Sequence, residues 1–493
     1  MATVAFNQIP GNILVPFWYA EINSGGTPYE GQSKLLLAGQ RVTGQGSAVN
    51  NVPIGPIQSE RDAIGLFGLG SMLVDMYRVA SRNAPFQPIW FLPLADPAGS
   101  AASGTLTIDS APSAMGVAVL SVVGTRLTVQ ITAADTTATI ATKIRDAINA
   151  AGLSVTASAA TNVVTVTSRH LGAVANGLEL RLKTDEPNIM TGRITVAAMA
   201  GGSGVPSLTT ALANCGDDEF DWIASPYGDT VSLDAIRDFL SDAGTGRWSP
   251  IKQLYGHYNT ALSGTLSALV TAGNARNDRH VSIMGTQASP SPVWEWAAAI
   301  GAQEAAHLTD APECSRPLQT LELIGIKPPV DRSLWWSITD RQALYVDGIS
   351  GYRVTVDGRV QIDRIVTTEQ VNAAGVPDAT FRDVETIGQM MFVVRYFRTA
   401  VSNRHSRQAL ADENPGQVAE ITTVREIRAT LVHAYQELVD LGVLEKADLF
   451  AEYLVVERDQ NNATRVNAYL PVDVVNQLRV FAANVTTFLQ YQQ

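Results

Sequence analysis

The residues best suited to chemistry stand between Asp221 and Ser267. Ser263-Gly264-Thr265-Leu266-Ser267-Ala268 brushes against a Gly-Thr-Ser nucleophile pattern, His257 lies just upstream, and Asp221 and Asp229 precede it. Such a set would supply a hydroxyl nucleophile, an imidazole base and a carboxylate to orient the base, which is the apparatus of acyl transfer. Two features weigh against it. Leu266 occupies the place where a serine should follow Gly264-Thr265, and His257 sits as Gly256-His257-Tyr258 without the small-residue helix that usually follows a catalytic histidine. The expectation is an α/β domain without hydrolase chemistry and without a catalytic residue, because a fold hosts many functions and only an assembled site proves one.

The frame for any such site is residues 219 to 307. The run EFDWIASPY, SLDAIRDFLSDAG, IKQLYGHYN, LSGTLSALVTAGNA, HVSIMG, SPVWEWAAAIGAQEAAH alternates short apolar or aromatic stretches with helical periods. That alternation predicts βαβ units around a parallel sheet. The strand cores Trp222–Ala224, Leu254–Tyr255 and Val281–Met284 lack in/out alternation, as expected of a sheet covered by helices on both faces. Lys34–Val42 and Gln87–Leu94 read as further strands of that sheet. Ser59-Glu60-Arg61-Asp62 opens a helix with a capping arrangement. Gly65, Gly68 and Gly70 signal close packing rather than a phosphate cradle, because they lie within a helical pattern instead of between a strand and a helix.

With 493 residues the chain is too long for one core. A net charge of −12 and the absence of any basic run argue against nucleic-acid binding. The first Lys or Arg is Lys34, which leaves no positive segment for a signal peptide, and no apolar stretch is long enough to span a bilayer. Cys215 and Cys314 are the only cysteines and lack ligand spacing, so neither a metal, a cofactor nor a disulfide is expected.

Glycine-rich linkers at 96–104 and 200–204 bracket Thr- and Val-rich strands and one amphipathic helix, Thr137–Ala150, which reads as a small α+β domain inserted into a loop of the main one. Arg316–Leu323 reads as a strand, and Tyr345–Val356 with Arg359–Thr367 as a hairpin turning at Asp357-Gly358. Helices are expected over Phe381–Asn403 and Val424–Leu441, and strands over Leu449–Arg458 and Val466–Leu470. Arg395, Arg398, Arg404 and Arg407 gather near the end of the first helix, where they complement its dipole or form a contact face for an acidic partner.

Both ends of the chain are apolar. Ile13, Val15, Phe17 and Tyr19 alternate with Leu14, Pro16 and Trp18, and the prolines exclude a helix. This segment either tucks onto its own domain as an edge strand or adds to a neighbour's sheet. Leu478, Val480 and Ala482 alternate, followed on the other parity by Val485, Thr487, Leu489 and Tyr491, with Phe481 and Phe488 among them. The parity shift predicts a bulge near Ala483-Asn484. Such an apolar strand is an aggregation hazard unless something covers it.

QLYGHYNT, TAGNARNDRHVSIMG, SPVWEWAAAIGAQ and RPLQTLELIGI resemble the contractile-tail sheath proteins of Mu-like bacteriophages, and the likeness extends over nearly the whole chain. The resemblance implies an α/β protein with a subtilisin-like central domain at 21–98 and 203–375. It further implies an inserted β-rich domain at 99–202, an α+β C-terminal domain at 376–470, and extended arms at 1–20 and 471–493. It implies a homo-oligomer, a helical stack of six-fold rings joined by strand exchange of those arms, contracting to drive a tail tube through the host envelope. A sheath of a related injection machine would look alike at this level. The exchanged strands would use Ile13, Val15, Phe17 and Tyr19 at one end and Leu478, Val480, Phe481, Val485, Phe488, Leu489 and Tyr491 at the other. A hairpin bearing Leu454, Val456, Val466 and Tyr469 would receive them, and Arg395, Arg398 and Arg404 would face the tube. Tail tube, baseplate and tail terminator proteins are the implied partners, with assembly in the host cytoplasm and residence in the virion.

Overall fold

The structure, a computed structural model, describes residues 33–487. They fall into two compact units. One holds Ser33–Phe392, Val439–Glu445 and the chain from Asp473 onward; the other holds Val393–Leu438 and Lys446–Val472.

The larger unit begins with β1 (Leu35–Gln40), β2 (Ile54–Ile57), α1 (Glu60–Phe67), α2 (Met72–Asn83) and β3 (Ile89–Leu94). Ser59 caps α1 by accepting from the Asp62 N–H, the arrangement its sequence predicts. Gly65 lies within α1 as its pattern suggests, whereas Gly68 and Gly70 separate α1 from α2: they take φ of +88° and +75°, and a Cβ on Gly70 would meet the Leu153 carbonyl oxygen at 2.3 Å. Close approach is the reason for glycine there.

Next come β4 (Ala101–Ile108), β5 (Gly116–Val122), β6 (Thr125–Ile131), α3 (Thr137–Ala150), β7 (Val155–Ala160), β8 (Val163–Leu171), β9 (Leu180–Leu182) and β10 (Ile194–Ala200). They form two antiparallel sheets, ordered β10-β4-β8-β7 and β6-β5-β9. Ile140, Ile144 and Ile148 of α3 recur at i, i+4, i+8 and are fully buried, so one stripe of this helix faces the core. The two flanking linkers run side by side, with Ser100 paired to Ser203. His170, which reads in the sequence as a solvated strand end, is 2% exposed, and its Nε2 accepts from the Met72 N–H at 2.9 Å.

The chain then returns through α4 (Thr209–Ala213), β11 (Trp222–Ala224), α5 (Thr230–Leu240), β12 (His257–Ser263), α6 (Leu266–Asn274), β13 (Val281–Thr286) and α7 (Val293–His307). The main sheet has the order β13-β12-β11-β1-β3-β2, parallel throughout except for β2. All six residues of β1 are buried, as a strand covered on both faces requires. Helix α7 packs directly on the sheet. Gly301 permits this, since a Cβ there would sit 3.0 Å from the Ala224 Cβ.

Leu254–Tyr255 is not a strand. Gln253, Tyr255 and Gly256 all have positive φ, which breaks any extended run, and pairing starts at His257. Arg316–Leu323 likewise forms turns, leaving one isolated bridge from Glu322 to Gln361. Tyr345 and Val346 close α8 (Ile338–Val346) before the hairpin β14 (Gly351–Val354) and β15 (Val360–Arg364), which turns at Gly358.

Helix α9 (Val384–His405) starts in this unit with Val384, Ile387 and Met391 buried. The smaller unit contains the rest of α9, the two-residue parallel pair β16 (Ala409–Leu410) and β17 (Ile421–Thr422), then α10 (Val424–Asp440), α11 (Ala447–Tyr453), β18 (Val455–Arg458) and β19 (Val466–Tyr469). Phe450 stacks on Tyr435 with ring centroids 3.8 Å apart. That contact makes 447–453 a helix where the sequence reads as strand, since helical spacing brings both Phe450 and Leu454 into the core.

Candidate functional site

The hydrolase set is not assembled. His257 opens β12 and Ser263 closes it, so the two lie about 20 Å apart along an extended strand. The His257 ring is fully buried against Trp222, at 6.0 Å between centroids, and its Nε2 meets the Ser282 Oγ at 2.9 Å. Burial holds its pKa well below the ordinary histidine value, so it is a neutral core group. Asp229 is occupied as the N-cap of α5, and Ser267 lies exposed on α6. Among the described residues no group of three or more His, Cys, Asp or Glu could hold a metal ion, and no helix is long and apolar enough to cross a membrane.

The interaction residues divide by where they fall. Ile13, Val15, Phe17, Tyr19, Phe488, Leu489 and Tyr491 lie outside the described residues. In the described part of the C-terminal segment, Leu478, Val480, Phe481 and Val485 are 71%, 80%, 84% and 83% exposed. Among the described residues, 476–487 pair with no strand.

The segment's root is different. The Glu445 N–H donates to the Asp473 carbonyl and the Val475 N–H to the Val443 carbonyl, each at 3.0 Å, around a bridge between Leu444 and Val474. The Gln389 amide donates to the Val475 carbonyl at 2.8 Å. Arg479 then reaches inward, its Nη2 2.6 Å from Glu385 Oε2 and 3.2 Å from Asp383 Oδ1. In the sequence Arg479 is the only charged residue between Leu478 and Tyr491. Its partners lie more than 90 residues away, where no local pattern points to them.

In the smaller unit, β18 and β19 form an antiparallel hairpin with Val455 opposite Tyr469 and Val456 opposite Ala468. Among the described residues no third strand joins it. Val455 and Tyr469 are 51% and 65% exposed, while Val456 and Val466 are half-buried. Leu454 corrects the expectation. It is the C-cap of α11, 4% exposed, and lies in the core of the unit rather than on the hairpin. Arg395 is a second correction: it lies on the buried side of α9, 4% exposed, because the position falls between Met391 and Phe397 on the core-facing part of the helix. Arg398 is half-buried and Arg404 exposed in the last turn.

Comparison with known proteins adds an independent line. Residues 201–368 match the family profile described as phage tail sheath protein central domain, and residues 376–488 match the phage tail sheath C-terminal domain. The chain is 30% identical over 497 residues to the Mu-like prophage FluMu tail sheath protein of Haemophilus influenzae, covering 97% of this chain and 98% of that protein. Among solved structures, a sheath tail protein from Desulfitobacterium hafniense is 13% identical with a TM-score of 0.48, covering 93% of this chain and 97% of that one. The helical sheath of the anti-feeding prophage in its contracted state is 13% identical with a TM-score of 0.45, covering 97% and 99%.

Proposed function

This chain belongs to the phage tail sheath family, and from that premise we propose that its C-terminal segment from Val480 is a strand lent to a neighbouring copy, with the β18–β19 hairpin of another copy as its receiver. The protein is a subunit of a contractile tail sheath of the Mu-like type. The observation that carries the strand reading is the row of exposed apolar side chains at Val480, Phe481 and Val485 on a segment that joins no strand among the described residues. A free apolar extended segment and a two-stranded hairpin with open edges are complementary, because each lacks the main-chain partners the other offers.

Strand addition brings main-chain hydrogen bonds worth about 0.5–1.5 kcal/mol each and apolar burial worth about 1.5–3 kcal/mol per large side chain. Each copy would be both donor and acceptor, so the contacts are heterologous and build an open helical stack. Residues 1–20 would act as a second donated arm. Links of this kind survive while rigid-body contacts elsewhere change, which lets a polymer shorten without falling apart. Six-fold rings, a tail tube facing Arg398 and Arg404, baseplate and terminator partners, and assembly in the host cytoplasm complete the proposal. So do the domain limits, for which the paired linkers at Ser100 and Ser203 support an inserted module at 99–202. The test is negative-stain imaging of the purified full chain beside a variant lacking 480–493. Tubes are expected from the first and folded monomer from the second; tubes of ordinary appearance from both would defeat strand donation.

A further inference from the structure

We infer that Arg479 is the fixed root of the lent strand, so that subunits rearrange by turning about the 479–480 junction and residues 473–479 stay bound to their own subunit. This rests on the strand-donation reading above and names the residue that sets where the donated part begins.

Three observations converge on that junction. First, the chain up to it is held at successive points. Asp473 and Val475 bond to the main chain of 443–445. The Gln389 amide holds the Val475 carbonyl while Gln477 Nε2 donates to Gln389 Oε1 at 3.3 Å, and Gln319 Nε2 donates to the Leu478 carbonyl at 3.3 Å. Second, the charge balance is local. Glu385 is fully buried, and its Oε1 accepts from the Leu318 N–H at 2.9 Å, leaving Oε2 to Arg479. Burial pushes the Glu385 carboxyl above its ordinary pKa, and the Arg479 guanidinium opposes that shift. Asp383 has a cation of its own in the Arg364 fork, at 2.8 and 2.9 Å. Withdrawing Arg479 would therefore leave Asp383 paired and Glu385 as a buried charge without its counter-ion, the costlier of the two ways to disturb a buried pair. Third, the exposure pattern changes past Arg479. Up to it exposed and half-buried residues alternate, with Leu478 71% exposed and Arg479 half-buried, whereas every described residue from Val480 to 487 is exposed.

A segment tied in this way does not peel from its root under a load that can be met by rotating the next residue. Pulling 473–479 away would break several bonds and strip a charge pair together, whereas the described residues from Val480 to 487 are exposed and join no described strand. The lent strand is thus indexed to its donor at a fixed residue, which keeps the register of exchange the same in both packings of the polymer.

The test uses the full chain with Arg479→Met, Glu385→Gln and the double variant, read by hydrogen exchange of the monomer and by tube yield. Arg479→Met should speed exchange at the Val475 and Glu445 amides at least ten-fold and reduce tube yield. Adding Glu385→Gln removes the orphaned charge and should restore most of the protection. Unchanged exchange at both amides in Arg479→Met would overturn the inference, as would a double variant no better protected than the single one. Should Arg479→Met fail to fold, the double variant decides, with protection near that of the parent expected and its absence refuting the lock. The 480–493 deletion separates the two readings: tubes from that variant sink strand donation, while exchange at 445 and 475 still reports on the root.

Discussion

Replacing Phe481 with serine tests whether its ring is idle in the free subunit and buried in the polymer. The side chain is 84% exposed within its own subunit, so its loss should change monomer stability by less than about 0.5 kcal/mol, as for other surface positions. In thermal unfolding that is a shift below about 2 °C. If the ring enters a neighbour's sheet, the same change removes about 1.5–3 kcal/mol of apolar burial from each donated strand. At 1.4 kcal/mol per factor of ten, that is a roughly ten- to hundred-fold rise in the concentration at which tubes begin to form. Sedimentation of tubes across a dilution series measures that threshold directly. Phe481→Leu keeps most of the apolar area and should move it far less. A threshold for Phe481→Ser equal to that of the parent, with unfolding also unchanged, would refute the claim that this side chain is covered on assembly. A large loss of monomer stability would refute the claim that it is idle before assembly.

Two further outcomes follow from the core. Burial and the nearby Asp75 carboxylate push the Glu295 carboxyl up to about 8. The folded chain therefore keeps a proton that the unfolded chain releases from near pH 4.5, and stability falls as pH rises from there to about 8, by up to about 1.4 kcal/mol per pH unit. Glu295→Gln should flatten that slope in urea unfolding at pH 5 and pH 8, and an unaltered slope would contradict it. Gly273→Ala ordinarily favours a helix, but here the new Cβ would lie 2.0 Å from the Asp347 carbonyl oxygen and 2.8 Å from Ile349 Cγ1. A net loss of about 1–3 kcal/mol is expected from overpacking, and a stabilised variant in the same assay would show that the α6 contact is looser than the geometry indicates.

Where a segment's pattern was legible, it was so because local and tertiary demands agree. The amphipathic period of 137–150 yields α3 over the same residues, and the buried triplet Trp222–Ala224 is a strand with the same limits. Where they disagree, the sequence misleads. The aromatic, apolar run at Leu254–Tyr255 has strand composition, but positive φ at Gln253 and Tyr255 makes it the loop that feeds β12. Leu449 to Tyr453 has the residues of a strand and folds as helix because Phe450 finds Tyr435. Leu454 and Arg395 illustrate the same point at the candidate surface. Their residue types suit contact with a partner, yet packing within the subunit covers both.

By itself the sequence determined that this protein alternates strands and helices around a covered sheet, carries an apolar C-terminal segment, and lacks the serine that its Gly-Thr pattern would need. Those follow from composition and short-range spacing, which act within a few residues along the chain. Only the tertiary structure decided that His257 and Ser263 stand at opposite ends of one strand, that Arg395 is buried, and that Arg479 pairs with Glu385 while the described residues after it are exposed. The physical reason is distance along the chain. Glu385 and Arg479 are 94 residues apart, and the field of a buried carboxylate selects its counter-ion by position in space, which no periodicity in the sequence records.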